Sequence, residues 1–334
     1  MTRAVGSIDL LNGMTMNIRL TQIDGALPNL ALMKLASWHR AQGDAVHFTR
    51  SIQPELFEPE YDRVYGSAIF TMSGARLDRF QTQWPGAIVG GTGTFSQATV
   101  EDIAGDHQGI DYTGHDVDYS IGFTQRGCRL KCKFCVVPKK EGKNRSENTI
   151  ADIWRGGKHP KKLHLLDNDF FGNPQWRERI AEIREGKFKV CLSQGINVRL
   201  INDEAAEALA TIEYRNTKFN KRKLYTAWDN LKDEGIFFKG VDTLERAGIP
   251  SKNLMAYMLV GYDPLETWDR IWHRFKAMVD RGIEPYPMVY NRKRVDLICF
   301  QRWVVTGLYR IVPWQDYRRS TKSAESEVAY ANAI

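Results

Sequence analysis

The sequence predicts an α/β protein built as two parallel-sheet domains, and three observations carry that prediction. Strand-like runs alternate with helical patterns along most of the chain, the order expected of strands joined by crossover helices. The alternation breaks over residues 91–118, which are rich in Gly, Thr, Asp and His. It then resumes beside a loop that holds three of the five cysteines. The domains are therefore read as residues 1–95, a linker 96–118, a second α/β domain 119–290, and an aromatic and basic extension 291–334.

In the first domain Asn17–Gln22 reads as a strand, followed by the turn Asp24-Gly25-Ala26-Leu27-Pro28. Asn29 is placed to cap a helix running to about Gln42, with Leu30, Met33 and Trp38 near one face. Ala45–Thr49, Val64–Thr71 and Ala87–Gly90 read as further strands, which implies a parallel, doubly wound sheet. In the second domain the expected strands are Tyr119–Thr124, Lys162–Leu166, Val190–Ser193, Leu224–Trp228, Leu254–Val260 and Tyr286–Val289. Helices are expected near Asn148–Trp154, Gln175–Arg184, Asp203–Ile212, Gly235–Ala247 and Leu265–Arg281. In the extension Gln301–Tyr309 is expected to be a helix that packs Trp303 onto the domain. Phe300, Trp303, Tyr309, Trp314 and Tyr317 are read as core or lid, interleaved with Arg302, Arg310, Arg318 and Arg319. From about Ser320 the composition turns polar, and fraying is expected.

Composition narrows the class. A chain of 334 residues with 43% hydrophobic content is long enough for two ordinary globular cores. No apolar run approaches the ~18 residues a membrane span needs, and Met1–Leu11 lacks the apolar region of a secretory signal. The cysteine arrangement is not a disulfide framework, and with a metal-type loop it points to the reducing cytoplasm. The net charge of +7 favours polyanionic partners. Basic residues crowd two places: Lys131–Arg145 with Lys158, Lys161 and Lys162, and Arg215–Lys223, where Tyr214, Phe219 and Tyr225 interleave with them. Both runs are read either as solvated loops or as a groove for nucleic acid or a nucleotide-linked substrate. The second run leads directly into a strand, which puts it at the strand N-termini, away from the cysteine loop.

The chemistry is concentrated in Gly127-Cys128-Arg129-Leu130-Lys131-Cys132-Lys133-Phe134-Cys135. Thiolates suit iron–sulfur clusters or zinc. A structural zinc wants four ligands, and here the fourth would have to be remote, His107 or His115. Cys191 and Cys299 are scattered, Cys191 within a strand as a small buried residue, so a single cluster is expected. Three thiolates on a four-iron cubane leave one iron open to a further ligand.

The spacing C-x3-C-x2-C with Phe134 before the last cysteine resembles the radical S-adenosylmethionine (SAM) superfamily. The resemblance implies a partial (β/α)6 barrel in which Cys128, Cys132 and Cys135 hold a 4Fe–4S cluster and SAM chelates the fourth iron through its amino and carboxylate groups. One-electron reduction then releases a 5′-deoxyadenosyl radical. The SAM contacts it implies are Phe134 in the loop, Asp167 and Asp169 for the ammonium, and Gln194, Asn197 and Arg199 after the third strand, with Arg199 on the carboxylate. Asp229 is expected at the ribose and Tyr257 on the strand that flanks adenine. A flavodoxin- or ferredoxin-like one-electron donor is implied as partner. The N-terminal domain, residues 1–95, resembles the Rossmann-like, cobalamin-binding-like domain of one large branch, through Leu27-Pro28-Asn29-Leu30, Ser67 and Gly90-Gly91. Methyltransferases that ligate cobalt by histidine carry D-x-H-x-x-G after the first strand, whereas this loop has Asp24 and no histidine. A domain without cobalamin is favoured. A cobalamin-dependent methyltransferase and a non-catalytic iron–sulfur nucleic-acid-binding protein are the alternatives.

Overall fold

The computed structural model describes residues 15–94, 96 and 98–321, with backbone only from residue 318. The readings of Met1–Leu11, of the Arg318 and Arg319 side chains and of the polar end of the chain lie outside the described residues. The chain is an α/β protein with parallel-strand sheets, divided into two compact units, Met1–Asp116 and Val117–Ile334.

The first unit runs β1 (Asn17–Gln22), α1 (Leu30–Ala41), β2 (Ala45–Thr49), β3 (Arg63–Ser67), α2 (Gly74–Gln83), β4 (Ile88–Gly90) and α3 (Glu101–Ala104). Its sheet has the order β2-β1-β3-β4, all parallel. Ile18 and Leu20 are fully buried against Leu32, Leu35 and Ala36 of α1, while Leu77 and Phe80 of α2 pack with Ile23 and Ala68 in a second cluster. Asn29 caps α1 as expected, accepting from the Ala31 and Leu32 N–H groups, and its amide donates to Ser67 Oγ at 2.8 Å. The third strand stops at Ser67, short of the expected Thr71. Asp24 takes the Ile69 and Phe70 N–H groups at 2.7 and 2.9 Å, and this turns the chain out of the sheet. The stretch expected to be a linker folds onto this unit. Val100, Ile103 and Ala104 cover the apolar stripe of α1, Asp111 N–H donates to Met33 O at 3.1 Å, and His107 bonds Ser37 Oγ at 3.0 Å. Three apolar residues suffice to dock so short a helix, and composition does not register them.

The second unit continues with β5 (Ser120–Gly122), β6 (Gln125–Arg126), α4 (Val137–Lys140), β7 (Arg145–Ser146), α5 (Ile150–Ile153), β8 (Lys162–Leu165), α6 (Trp176–Glu185), β9 (Lys189–Leu192), α7 (Asp203–Ala210), β10 (Glu213–Tyr214), β11 (Leu224–Ala227), α8 (Glu234–Arg246), β12 (Leu254–Val260), α9 (Trp268–Asp280), β13 (Glu284–Val289), α10 (Val295–Val305) and α11 (Trp314–Thr321). Two parallel sheets have the orders β10-β9-β8-β5 and β11-β12-β13, and β6 and β7 form an antiparallel hairpin. Residues alternate between faces along a strand. On β12, Leu254, Ala256, Met258 and Val260 are fully buried toward the helices, whereas Met255, Tyr257 and Leu259 on the other face are only half-buried. The helices supply matching stripes, Phe237, Val241 and Leu244 on α8 and Ile271, Phe275 and Met278 on α9.

The helix of the extension starts at Val295, earlier than the expected Gln301. Leu297, Phe300, Trp303 and Val304 make one buried stripe that the expected span cut in two. Phe300 and Trp303 meet the Trp272 ring of α9 at 5.4 and 5.9 Å, and Trp303 Nε1 donates to Val312 O at 2.8 Å. These aromatics belong to the core. Among the described residues no helix is long and apolar enough to cross a membrane.

Candidate functional site

The three cysteines lie on the loop that joins β6 to β7, past the C-terminal end of β5. Gly127 opens the loop with φ +83°, and a Cβ there would sit 2.5 Å from Lys143 O, so the loop closes only over a glycine. Gly127 N–H donates to Glu141 Oε2 at 2.9 Å, Cys135 N–H to Cys132 O at 3.0 Å, and Leu130 N–H to Cys128 Sγ at 3.4 Å. All three thiols are free and partly exposed. Burial pushes the Cys128 thiol up to about 11. Burial first, and then the charges of Cys132, Glu141 and Asp229, push Cys135 up, against a bond from the Val137 N–H. A metal that replaces these protons supplies the charge that burial withholds.

Strand ends converge on this loop. Past β8, Asp169 is fully buried and binds Arg129 as a fork, Nε to Oδ2 at 2.8 Å and Nη2 to Oδ1 at 2.9 Å. Oδ2 also accepts the Arg129 N–H at 3.0 Å and Asn144 Nδ2 at 3.2 Å, and Asp169 N–H donates to Gln125 Oε1 at 3.1 Å. Asp167, also buried, accepts the Thr124 and Gln125 N–H groups at 2.7 and 3.2 Å and shares a short bond with the Thr124 hydroxyl. Burial raises its carboxyl to about 7. Both carboxylates expected to meet the SAM ammonium are thus taken by donors of the cysteine loop and its root, and they act as clamps. Between them Asn168 donates Nδ2 to Glu141 at 3.2 Å, and its amide oxygen accepts from no described donor. The triplet Asp-Asn-Asp was visible in the sequence; which of its three oxygen bearers was free was not.

Past β9, Arg199 donates Nη1 to Asp233 at 2.7 Å and holds Nη2 4.0 Å from Cys132 Sγ. Gly240 on α8 makes this placement, because its missing Cβ lets the helix press on Val198, whose carbonyl oxygen would lie 2.1 Å from an added Cβ. Gln194 is exposed and Asn197 half-buried, and neither side chain makes a described bond. Past β11, Asp229 accepts the Leu259 N–H at 3.0 Å through Oδ1, leaving Oδ2 without a described donor. Its backbone is held by the buried Arg274, which donates to Trp228 O and Asp229 O, both at 3.0 Å, and to Leu259 O at 3.1 Å. Arg274, Asp233 and Asn144 carried no sequence signal, since their partners come from distant strands.

Past β12, Tyr262 stands edge-on to Phe134 at 5.3 Å and to Tyr290 at 4.9 Å. Tyr257 sits deeper, donating its hydroxyl to Ser193 O at 2.7 Å and stacked on Tyr225 at 6.1 Å. Beside it the buried His164 bonds Ser193 Oγ through Nε2 at 2.6 Å, and burial lowers its pKa to about 4, so the ring is neutral. Cys191 is fully buried there, as expected, with Sγ 3.9 Å from the same nitrogen.

A single tetrahedral zinc draws its sulfurs to within about 3.8 Å of one another. Among the described residues, the group of three His, Cys, Asp or Glu ligand atoms within 4.8 Å of one another is His47, Glu55 and Glu58 in the first unit, not the cysteines. Glu58 there already forks the buried Arg19, and Glu55 accepts from Thr49. His107 is engaged by Ser37, and the His115 ring lies on Phe48 at 4.2 Å. The three thiols do not all lie within 4.8 Å of one another, so they are not drawn together as a single tetrahedral ion would draw them. Comparison with protein-family models, curated proteins and solved structures returned no match.

Proposed function

We propose that this protein is a radical SAM enzyme, with a Rossmann-like first unit and a partial (β/α)6 barrel as its second. Support for the barrel comes from the bond between Ile196 N–H and Tyr225 O at 2.7 Å, which ties the chain past β9 to β11, between the sheets β10-β9-β8-β5 and β11-β12-β13. The half-exposed inner face of β12 fits an open barrel with room for a substrate.

The observation that carries the reading is the convergence on the cysteine loop of a guanidinium, a carboxylate and an aromatic ring from three different strand ends. Cys128, Cys132 and Cys135 would hold a 4Fe–4S cluster and leave one iron for SAM, and together these would supply one-electron reductive cleavage of a sulfonium C–S bond. Arg199 offers its Nη2 edge to the SAM carboxylate. The Asn168 amide oxygen, in place of Asp167 and Asp169, accepts from the ammonium. Asp229 presents Oδ2 to ribose hydroxyls, and Phe134 walls the loop. The electron comes from a flavodoxin- or ferredoxin-like donor in a reducing cytoplasm, and a nucleic acid or nucleotide-linked molecule is the substrate class that the basic surface favours. Reduced, reconstituted protein should change its electron paramagnetic resonance spectrum when SAM is added. A spectrum indifferent to SAM would sink the reading.

A further inference from the structure

Cations of the second unit lie at both ends of its strands. At the N-terminal ends, between β10 and β11, Arg215 pairs with Glu213 at 2.5 Å, Lys223 pairs with Glu284 at 2.7 Å, and Arg222 lies 5.1 Å over Tyr214. The rings that interleave with this run, Tyr214, Phe219 and Tyr225, are 1%, 7% and 5% exposed and serve the core. That run keeps Lys218, Lys221 and Arg222 exposed and without a carboxylate partner among the described residues, but it has no surface ring to offer a nucleic acid.

The C-terminal ends combine unpaired charge with an exposed ring. Lys131, Lys133, Lys139 and Lys143 on the cysteine loop and Lys293 after β13 are exposed, and none is paired with a carboxylate among the described residues. Between them run the rings Phe134, Tyr262 and Tyr290, each edge-on to the next, ending at Tyr290, which is 56% exposed. Lys133 adjoins the first ring in the chain, and Lys293 follows the last by one turn of loop.

We propose that this face binds a single-stranded stretch of nucleic acid, with phosphates on the five ammonium groups and an unstacked base against Tyr290, aimed at the cysteine loop. Aromatic faces accept any base, and cations on either side track the backbone. Five unpaired charges spread over two loops exceed what one mononucleotide neutralises, which favours a polymer. A duplex keeps its bases stacked and offers none to the ring. The role of this face as the substrate face rests on the radical SAM reading; the binding does not.

The test is fluorescence anisotropy of the full-length, iron-reconstituted protein with mixed-sequence single-stranded RNA and DNA of about 16 nucleotides, the matching duplexes, and polyglutamate, across a salt series. The variant Lys139→Gln/Lys143→Gln/Lys293→Gln should weaken single-strand binding at least tenfold at low salt. It should also lower the salt slope by about 2, at ~0.7 per phosphate contact. Tyr290→Ala should weaken binding about fivefold or more with the slope unchanged. Lys218→Gln/Lys221→Gln, at the other end of the strands, should bind as wild type. The proposal is overturned by absent wild-type binding at low salt, by an unaffected triple variant, by an equal loss in the control, or by duplex or polyglutamate binding as tight as single strand. Iron content is measured on the same samples. Protein that takes up no iron yet binds single strands keeps this proposal and removes the cofactor reading, and the converse result does the opposite.

Discussion

Replacing Asp169 by Asn isolates what the clamp does for the cysteine loop. The native carboxylate accepts both arms of Arg129, the Arg129 N–H and Asn144 Nδ2. Asn fits the same space, but whichever way its amide turns, an NH₂ group faces a donor and the charge assistance is lost. A charge-assisted bond is worth about 1.5–3 kcal/mol, and the Arg129 side chain is 37% exposed, so solvent screening takes the lower part of that range. An effect of about 2 kcal/mol follows, about thirtyfold in the local opening equilibrium. Hydrogen exchange reads it directly: the amides of residues 127–135 should exchange about thirtyfold faster in the variant under conditions where exchange reports equilibrium opening, with the α8 and α9 amides unchanged. Exchange of the loop at the wild-type rate would show that Asp169 does not hold it.

Three further outcomes follow from the same geometry. Folded Asp167 keeps its proton up to about pH 7 because of burial, whereas the unfolded chain releases it near pH ~3.9. The native state thus binds the extra proton between these values, and this contribution to stability is full below about pH 4 and lost as pH rises through about 7, at up to ~1.4 kcal/mol per pH unit. Asp167→Asn mimics the protonated form, so urea midpoints of variant and wild type should diverge from pH 5 to pH 8 in favour of the variant, and parallel profiles would refute the shift. Gly240→Ala should destabilise by about 1–3 kcal/mol, because the new methyl meets the Val198 backbone. It should also weaken SAM binding by moving Arg199, and full affinity would show that Arg199 is placed otherwise. Arg199→Lys cannot reach both Asp233 and a carboxylate beside Cys132, so SAM affinity should fall about ten- to a hundredfold with iron uptake intact; unchanged titrations would assign the carboxylate to another residue.

Periodicity made β12 legible, since burial enforces its alternation, whereas β1 is buried along nearly its whole length. Periodicity missed β10, two residues paired with the start of β9, because so short a strand is defined by its partner. The cysteine loop stands out in the sequence because the spacing of its cysteines is local. What the polar residues beside it do was not legible. Asp167 and Asp169 look like free carboxylates in a sequence, and only the fold shows Thr124, Gln125, Arg129 and Asn144 converging on them. The basic run Arg215–Lys223 read as a candidate groove because charge and aromatic content are visible in sequence, whereas the inward turn of Tyr214, Phe219 and Tyr225 is not.

The central claim is that Cys128, Cys132 and Cys135 carry a cluster with one iron open to SAM. The most direct measurement is anaerobic reconstitution of wild type and Cys132→Ala with iron and sulfide, followed by SAM and dithionite, with iron counted and 5′-deoxyadenosine quantified. Wild type should hold about four irons per chain and release 5′-deoxyadenosine, and the variant should do neither. Tight zinc in place of iron, or a full cluster that never cleaves SAM, would contradict the account.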